Sequence, residues 1–159
     1  KAISELCKPE VAQFDLDENG KIVKWYRQDL KQPTQEEIDA KVRELKFIEA
    51  KAKKLDEINQ AFESAMEAIT AQYPEIEKLS WDKQEREARA YLADNTVATP
   101  LLDSIATARG VDKTELAQKI VKKADTYSLI AGSAIGKRQA LEDKINSATS
   151  IDELEAIVW

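Results

Sequence analysis

The sequence predicts a mainly α fold: a small N-terminal β-hairpin, one long amphipathic, coiled-coil-like helix, then a compact C-terminal helical bundle. Three observations point there. After Pro33 the chain runs to Gln72 with neither glycine nor proline. Apolar residues in that stretch recur at steps of three and four, which is one stripe on a helix. The whole chain has only four glycines and four prolines, with 34% charged residues against 6% aromatic, a composition that suits long solvated helices.

The hairpin comes first. Val11 to Leu16 and Lys21 to Tyr26 alternate with period two and are rich in β-branched and aromatic residues, with Asn19-Gly20 between them. A lone hairpin is marginal in water, so this one is expected to dock on a helix or stay mobile. Residues 1–32 form the expected first segment.

The long helix, expected within residues 33–75, opens on Thr34 with Glu37 three positions later, the pattern of a capping box. It stops at Tyr73-Pro74, because proline lacks the backbone donor and disfavours helix in the residue before it. Its stripe reads Ile38, Val42, Leu45, Ile48, Ala52, Leu55, Ile58, Phe62, Ala65 and Ile69. Two successive steps of three, from Ala52 through Leu55 to Ile58, predict a local change of supercoil or of packing partner. A helix of this length spans about 60 Å, longer than a small domain is wide. Its seam is therefore expected to meet something outside its own bundle, and Ile38, Val42, Leu45, Ile48, Leu55, Ile58, Phe62 and Ile69 are the predicted partner or oligomer interface.

Residues 76–159 shorten into compact helices. Ser80 is placed to cap a helix from Trp81 to about Ala93, with Trp81, Ala88, Tyr91 and Leu92 inward. Thr99-Pro100 restarts the chain as N-cap and first helical residue, and Gly110 stops it. Asp112 and Glu115 open another helix, which Gly132-Ser133-Ala134-Ile135-Gly136 is expected to interrupt, to kink or to bring close to a neighbour. Ser150 and Glu153 cap a last short helix whose apolar end carries Trp159, which is expected to plug the helical core, the alternative being a partner's groove.

Chemistry is scarce. No histidine occurs, which removes histidine-based triads and histidine metal ligands, and no glycine-rich phosphate loop follows a strand. The abundant carboxylates sit next to one another along helices and do not face each other. Glu85, Arg86, Glu87 and Arg89 read as a surface charge network. An enzyme is not expected, nor a cofactor. One decoy stands out: Asp15, Asp17 and Asn19 with Gly20 match the start of an EF-hand loop. The twelfth position holds Tyr26 where a bidentate glutamate is needed, so a tight turn is the favoured reading and a weak cation site the alternative.

The net charge of −6, from 24 Lys+Arg and 30 Asp+Glu, argues against nucleic acid. The one basic cluster, Lys119, Lys122, Lys123, Lys137 and Arg138, reads as a solvated face. No apolar run is long enough for a membrane span and no signal peptide is visible. The lone Cys7 is expected to be an exposed thiol in a reducing compartment.

Several stretches together resemble a known family. They are Phe14 to Val23 with Pro33 to Ala40, Tyr73 to Glu77 with Ser80 to Ala88, Thr99 to Gly110, and Arg138 to Asp143 with Ile151 to Ile157. These resemble tail fibre assembly proteins of tailed bacteriophages and prophages. The resemblance implies a non-enzymatic, chaperone-like helper or minor component of the tail. Such a viral protein would bind a tail fibre or other tail component through its helices, in the bacterial host cytoplasm during assembly or in the virion tail. The alternatives are a self-associating structural tail component with a coiled-coil stalk, hence a homo-oligomer, and a calcium-responsive module at residues 15–26.

Overall fold

A computed structural model describes all 159 residues. The elements, in order, are α1 (Ala2–Leu6), β1 (Phe14–Leu16), β2 (Ile22–Trp25), α2 (Gln35–Thr70), α3 (Glu75–Lys78), α4 (Trp81–Ala93), α5 (Pro100–Arg109), α6 (Lys113–Ser147) and α7 (Ile151–Glu155). The mainly helical fold with its N-terminal hairpin is as the sequence predicts. Contacts group the chain into two compact units, residues 1–57 with 143–158 and residues 58–142 with 159. This differs from the expected division at 32 and 75, because α2 and α6 each contribute to both units.

In the first unit the hairpin pairs Phe14 with Trp25 and Asp15 with Lys24, with an irregularity before Leu16. Gly20 turns the chain at φ 78°, where a Cβ would be strained. The hairpin docks on a helix. Ile3, Cys7 and Ile38 form a buried cluster, and Phe14, Ile22, Trp25, Leu30 and Val42 pack against it. The indole of Trp25 donates to the carbonyls of Arg27 and Leu30, which fixes the link into α2. Cys7 is buried rather than exposed. Its one-turn helix α1, too short to carry a periodic signal, turns Ile3 and Cys7 to the same side. At the other end of the unit, Lys51 of α2 donates to the carbonyl of Asn146 in α6 at 2.8 Å.

In the second unit α4, α5 and the start of α6 enclose Ala88, Leu102, Ala106, Leu116 and Ala117, flanked by Tyr91, Ile105, Ile120 and Val121. Leu92, expected inward, is exposed. Gly110 adopts the left-handed conformation at φ 61° and Val111 donates back to Ala106, so the stop of α5 is as read. The start of α5 is not. Thr99 stands at the N-cap, yet its hydroxyl caps nothing and is buried without a partner. Glu87 of α4 supplies the cap instead, accepting from the backbone N–H groups of Leu101 and Leu102 at 2.9 Å each.

The largest departure is α6. Its 35 residues run unbroken through Gly132 and Gly136, and a Cβ built on either glycine would meet nothing within 4 Å. The pair neither interrupts the helix nor marks a close crossing inside the chain. Each glycine costs about 1 kcal/mol relative to alanine, too little to break a helix anchored at both ends by tertiary packing. The expected compact bundle is thus built round a second long helix. Within the second unit the two long segments lie alongside each other, Arg138 bonding Asn59 at 3.2 Å and Lys123 bonding the Tyr73 hydroxyl at 3.1 Å.

Candidate partner-binding surface

A partner-binding helix must hold apolar side chains in water. The α2 seam does so far less than its length suggests. Ile38 and Ile58 are buried, and Val42, Leu45, Leu55, Phe62 and Ile69 are half-buried. Only Ile48, 55% exposed, remains open to a partner among the eight predicted positions. Three of its positions meet side chains from the rest of the chain: the hairpin and α1 pack over Ile38 and Val42, and Trp159 packs edge-on against Phe62 at 6.1 Å.

Exposed apolar side chains are concentrated elsewhere. Ile76 and Leu79, 79% and 81% exposed, lie one turn apart on and just after α3. Residues on both sides of α3 are pinned. Tyr73 packs edge-on against Trp81 at 5.1 Å, Trp81 against Tyr127 at 6.2 Å, and the Ser80 hydroxyl donates to the carbonyl of Glu77 at 2.7 Å. The two side chains therefore sit on a braced turn rather than a free loop. Leu129, 77% exposed, stands on the outward face of α6 beside the two glycines. The sequence reading missed both places. The short α3 has no periodicity to read, and Leu129 lies off the core-facing stripe of α6.

The remaining candidates resolve into structure. Asp17 accepts from the backbone N–H groups of Asn19 and Lys21 at 2.9 and 2.8 Å, and Asp15 accepts from the Tyr26 hydroxyl at 2.5 Å. That bond holds the Tyr26 hydroxyl above its ordinary pKa. The acidic residues thus serve the turn and the strand pair, and no group of three or more His, Cys, Asp or Glu side chains is placed to hold a metal. The basic cluster is dispersed: Lys123 lies over Tyr73, Lys137 over Trp159, Arg138 pairs with Glu142 and Lys119 with Glu115. Glu85 pairs with Arg89 along α4, and Arg89 also binds Asp125. These bonds raise the Arg89 pKa above its ordinary value, Asp125 contributing most. No helix is long and apolar enough to cross a membrane.

Comparison with known proteins gives two findings. The model of the HI1402 helical domain matches residues 122–159, which span the later part of α6 and all of α7. An uncharacterized protein of Haemophilus influenzae is 35% identical over 57 residues, which make up 36% of this chain and 84% of that protein. No solved structure matches the chain. With most of the Haemophilus protein matched at this identity, the chain belongs to the family of that protein.

Proposed function

We propose that this chain is a non-enzymatic phage or prophage tail assembly protein that binds another tail component through its helices. The resemblance of Phe14–Val23, Tyr73–Glu77 with Ser80–Ala88, and Thr99–Gly110 to tail fibre assembly proteins supplies the partner class. The observation that carries the binding role is the pair Ile76 and Leu79, almost fully solvated on a turn braced by Tyr73 and Trp81. Fully burying two such side chains contributes roughly 3–6 kcal/mol, enough to dominate a small interface. The proposed site of action is the host cytoplasm during assembly, with the partner's apolar surface shielded until it joins the tail.

Co-expression with the tail proteins of the source genome tests this. A soluble complex is expected with one of them, and Ile76→Asp with Leu79→Asp should abolish it while the circular dichroism stays unchanged. A complex that survives the double substitution removes α3 as the binding surface. Failure to form a complex with any tail protein removes the proposed function.

A further inference from the structure

We propose that the outward face of α6 is the seam of an antiparallel dimer between two copies of this chain. Lys122, Asp125, Leu129, Gly132, Gly136, Ala140 and Asp143 follow one another at steps of three and four, and all are exposed. At 3.6 residues per turn they share a sector about 80° wide, the spacing of a coiled-coil seam. The core-facing side of α6 carries a different set, including Ile120, Ala124, Leu141 and Ile145. Arg89 of α4 reaches the seam at Asp125, and beyond it the seam is open: Leu129 is 77% exposed and both glycines face open space.

The seam is complementary to itself in one orientation. A two-fold axis between Gly132 and Ser133 sets two copies of α6 antiparallel and brings Leu129 of each over Gly136 of the other, where no Cβ obstructs it. The same register sets Lys122 opposite Asp143 of the second copy, and the symmetry repeats that pair at the other end. Neither side chain has an ion pair within its own chain, so both are available. A parallel arrangement would instead place Lys122 against Lys122 and Asp143 against Asp143. Charge therefore selects the antiparallel form. Asp125, engaged by Arg89, falls opposite Ala140 and meets no like charge. This inference does not rest on the tail-assembly reading, which uses α3.

Sedimentation of the full chain over a wide concentration range tests it. The unaltered chain should show a monomer–dimer equilibrium. Leu129→Asp should abolish the dimer. Lys122→Asp or Asp143→Lys alone should weaken it roughly tenfold, and the two reversals together should restore it. All three positions are exposed, so circular dichroism should be unchanged in every variant. A chain that stays monomeric throughout, or a dimer indifferent to Leu129→Asp, overturns the proposal. A double reversal as weak as either single one overturns the antiparallel register.

Discussion

Glu87 and Thr99 show how one residue can take over another's expected role. Thr99 has the residue type and position of an N-cap, but its backbone conformation turns the hydroxyl into the core, where it has no partner. The orphan donors of α5 are met from α4, by a carboxylate fourteen residues back in sequence. A hydrogen bond to a charged group contributes about 1.5–3 kcal/mol, so Glu87→Ala should lower stability in urea unfolding by about that much or more, since it strands two donors. Thr99→Val should do the opposite. It keeps the shape and removes an unsatisfied buried hydroxyl, so a gain of about 1 kcal/mol is expected. A loss of stability on Thr99→Val would overturn this reading of the buried hydroxyl. No sequence rule places Glu87 at this cap, because the bond depends on how α4 and α5 pack.

Helix ends governed by local chemistry were, by contrast, legible. The N–H of Thr34 donates to Glu37 at 2.7 Å and its hydroxyl accepts from Glu37 N–H at 3.2 Å, the reciprocal box read from the spacing alone. Ser150 accepts from Glu153 N–H, while the Glu153 carboxylate reaches one residue further, to Thr149 N–H at 2.6 Å. The Thr34 N–H and then its hydroxyl hold the Glu37 carboxyl below the ordinary glutamate pKa, and Thr149 does the same for Glu153. A depressed folded-state pKa contributes stability above the unfolded pKa and loses it as pH falls through the folded value. Stability should therefore drop as pH is lowered from about 5 towards 3. Glu37→Gln with Glu153→Gln should be less stable at neutral pH and show a shallower acid decline. The elements that were misread lacked such local rules. Gly132 and Gly136 look like a break, but packing at both ends of α6 outweighs their propensity cost. Because each glycine faces open space, Gly132→Ala and Gly136→Ala should each stabilise the fold by about 1 kcal/mol at concentrations where the chain is monomeric.

At the scale of the whole molecule, the periodicity of α2 marked the stripe that carries the buried Ile38 and Ile58 but could not say which side chains meet it. That depends on a hairpin docked through Trp25 at one end and on Trp159 packed against Phe62 further along, both non-local facts. The exposed candidates, Ile76, Leu79 and Leu129, were invisible for the converse reason: a residue left outside the core has no pattern to mark it. The two long helices also bear on how the chain unfolds. α2 passes from one unit to the other at Glu57/Ile58 and α6 at Glu142/Asp143, with no break in either helix. Melting one unit would fray the helices on which the other is built, and helix propagation is cooperative. The units should therefore unfold together. Trp25 reports on the first, through its bonds to Arg27 and Leu30, and Trp81 on the second, through its contacts with Tyr73 and Tyr127. Urea transitions followed by fluorescence in a Trp81→Phe, Trp159→Phe chain and in a Trp25→Phe chain should each coincide with that chain's loss of helical signal. Ile58→Ala, which empties a nearly fully buried position at the boundary, should lower stability by about 2–5 kcal/mol and move the transitions of both reporters by similar amounts. If only the second unit's reporter moves, the continuous helices do not couple the units.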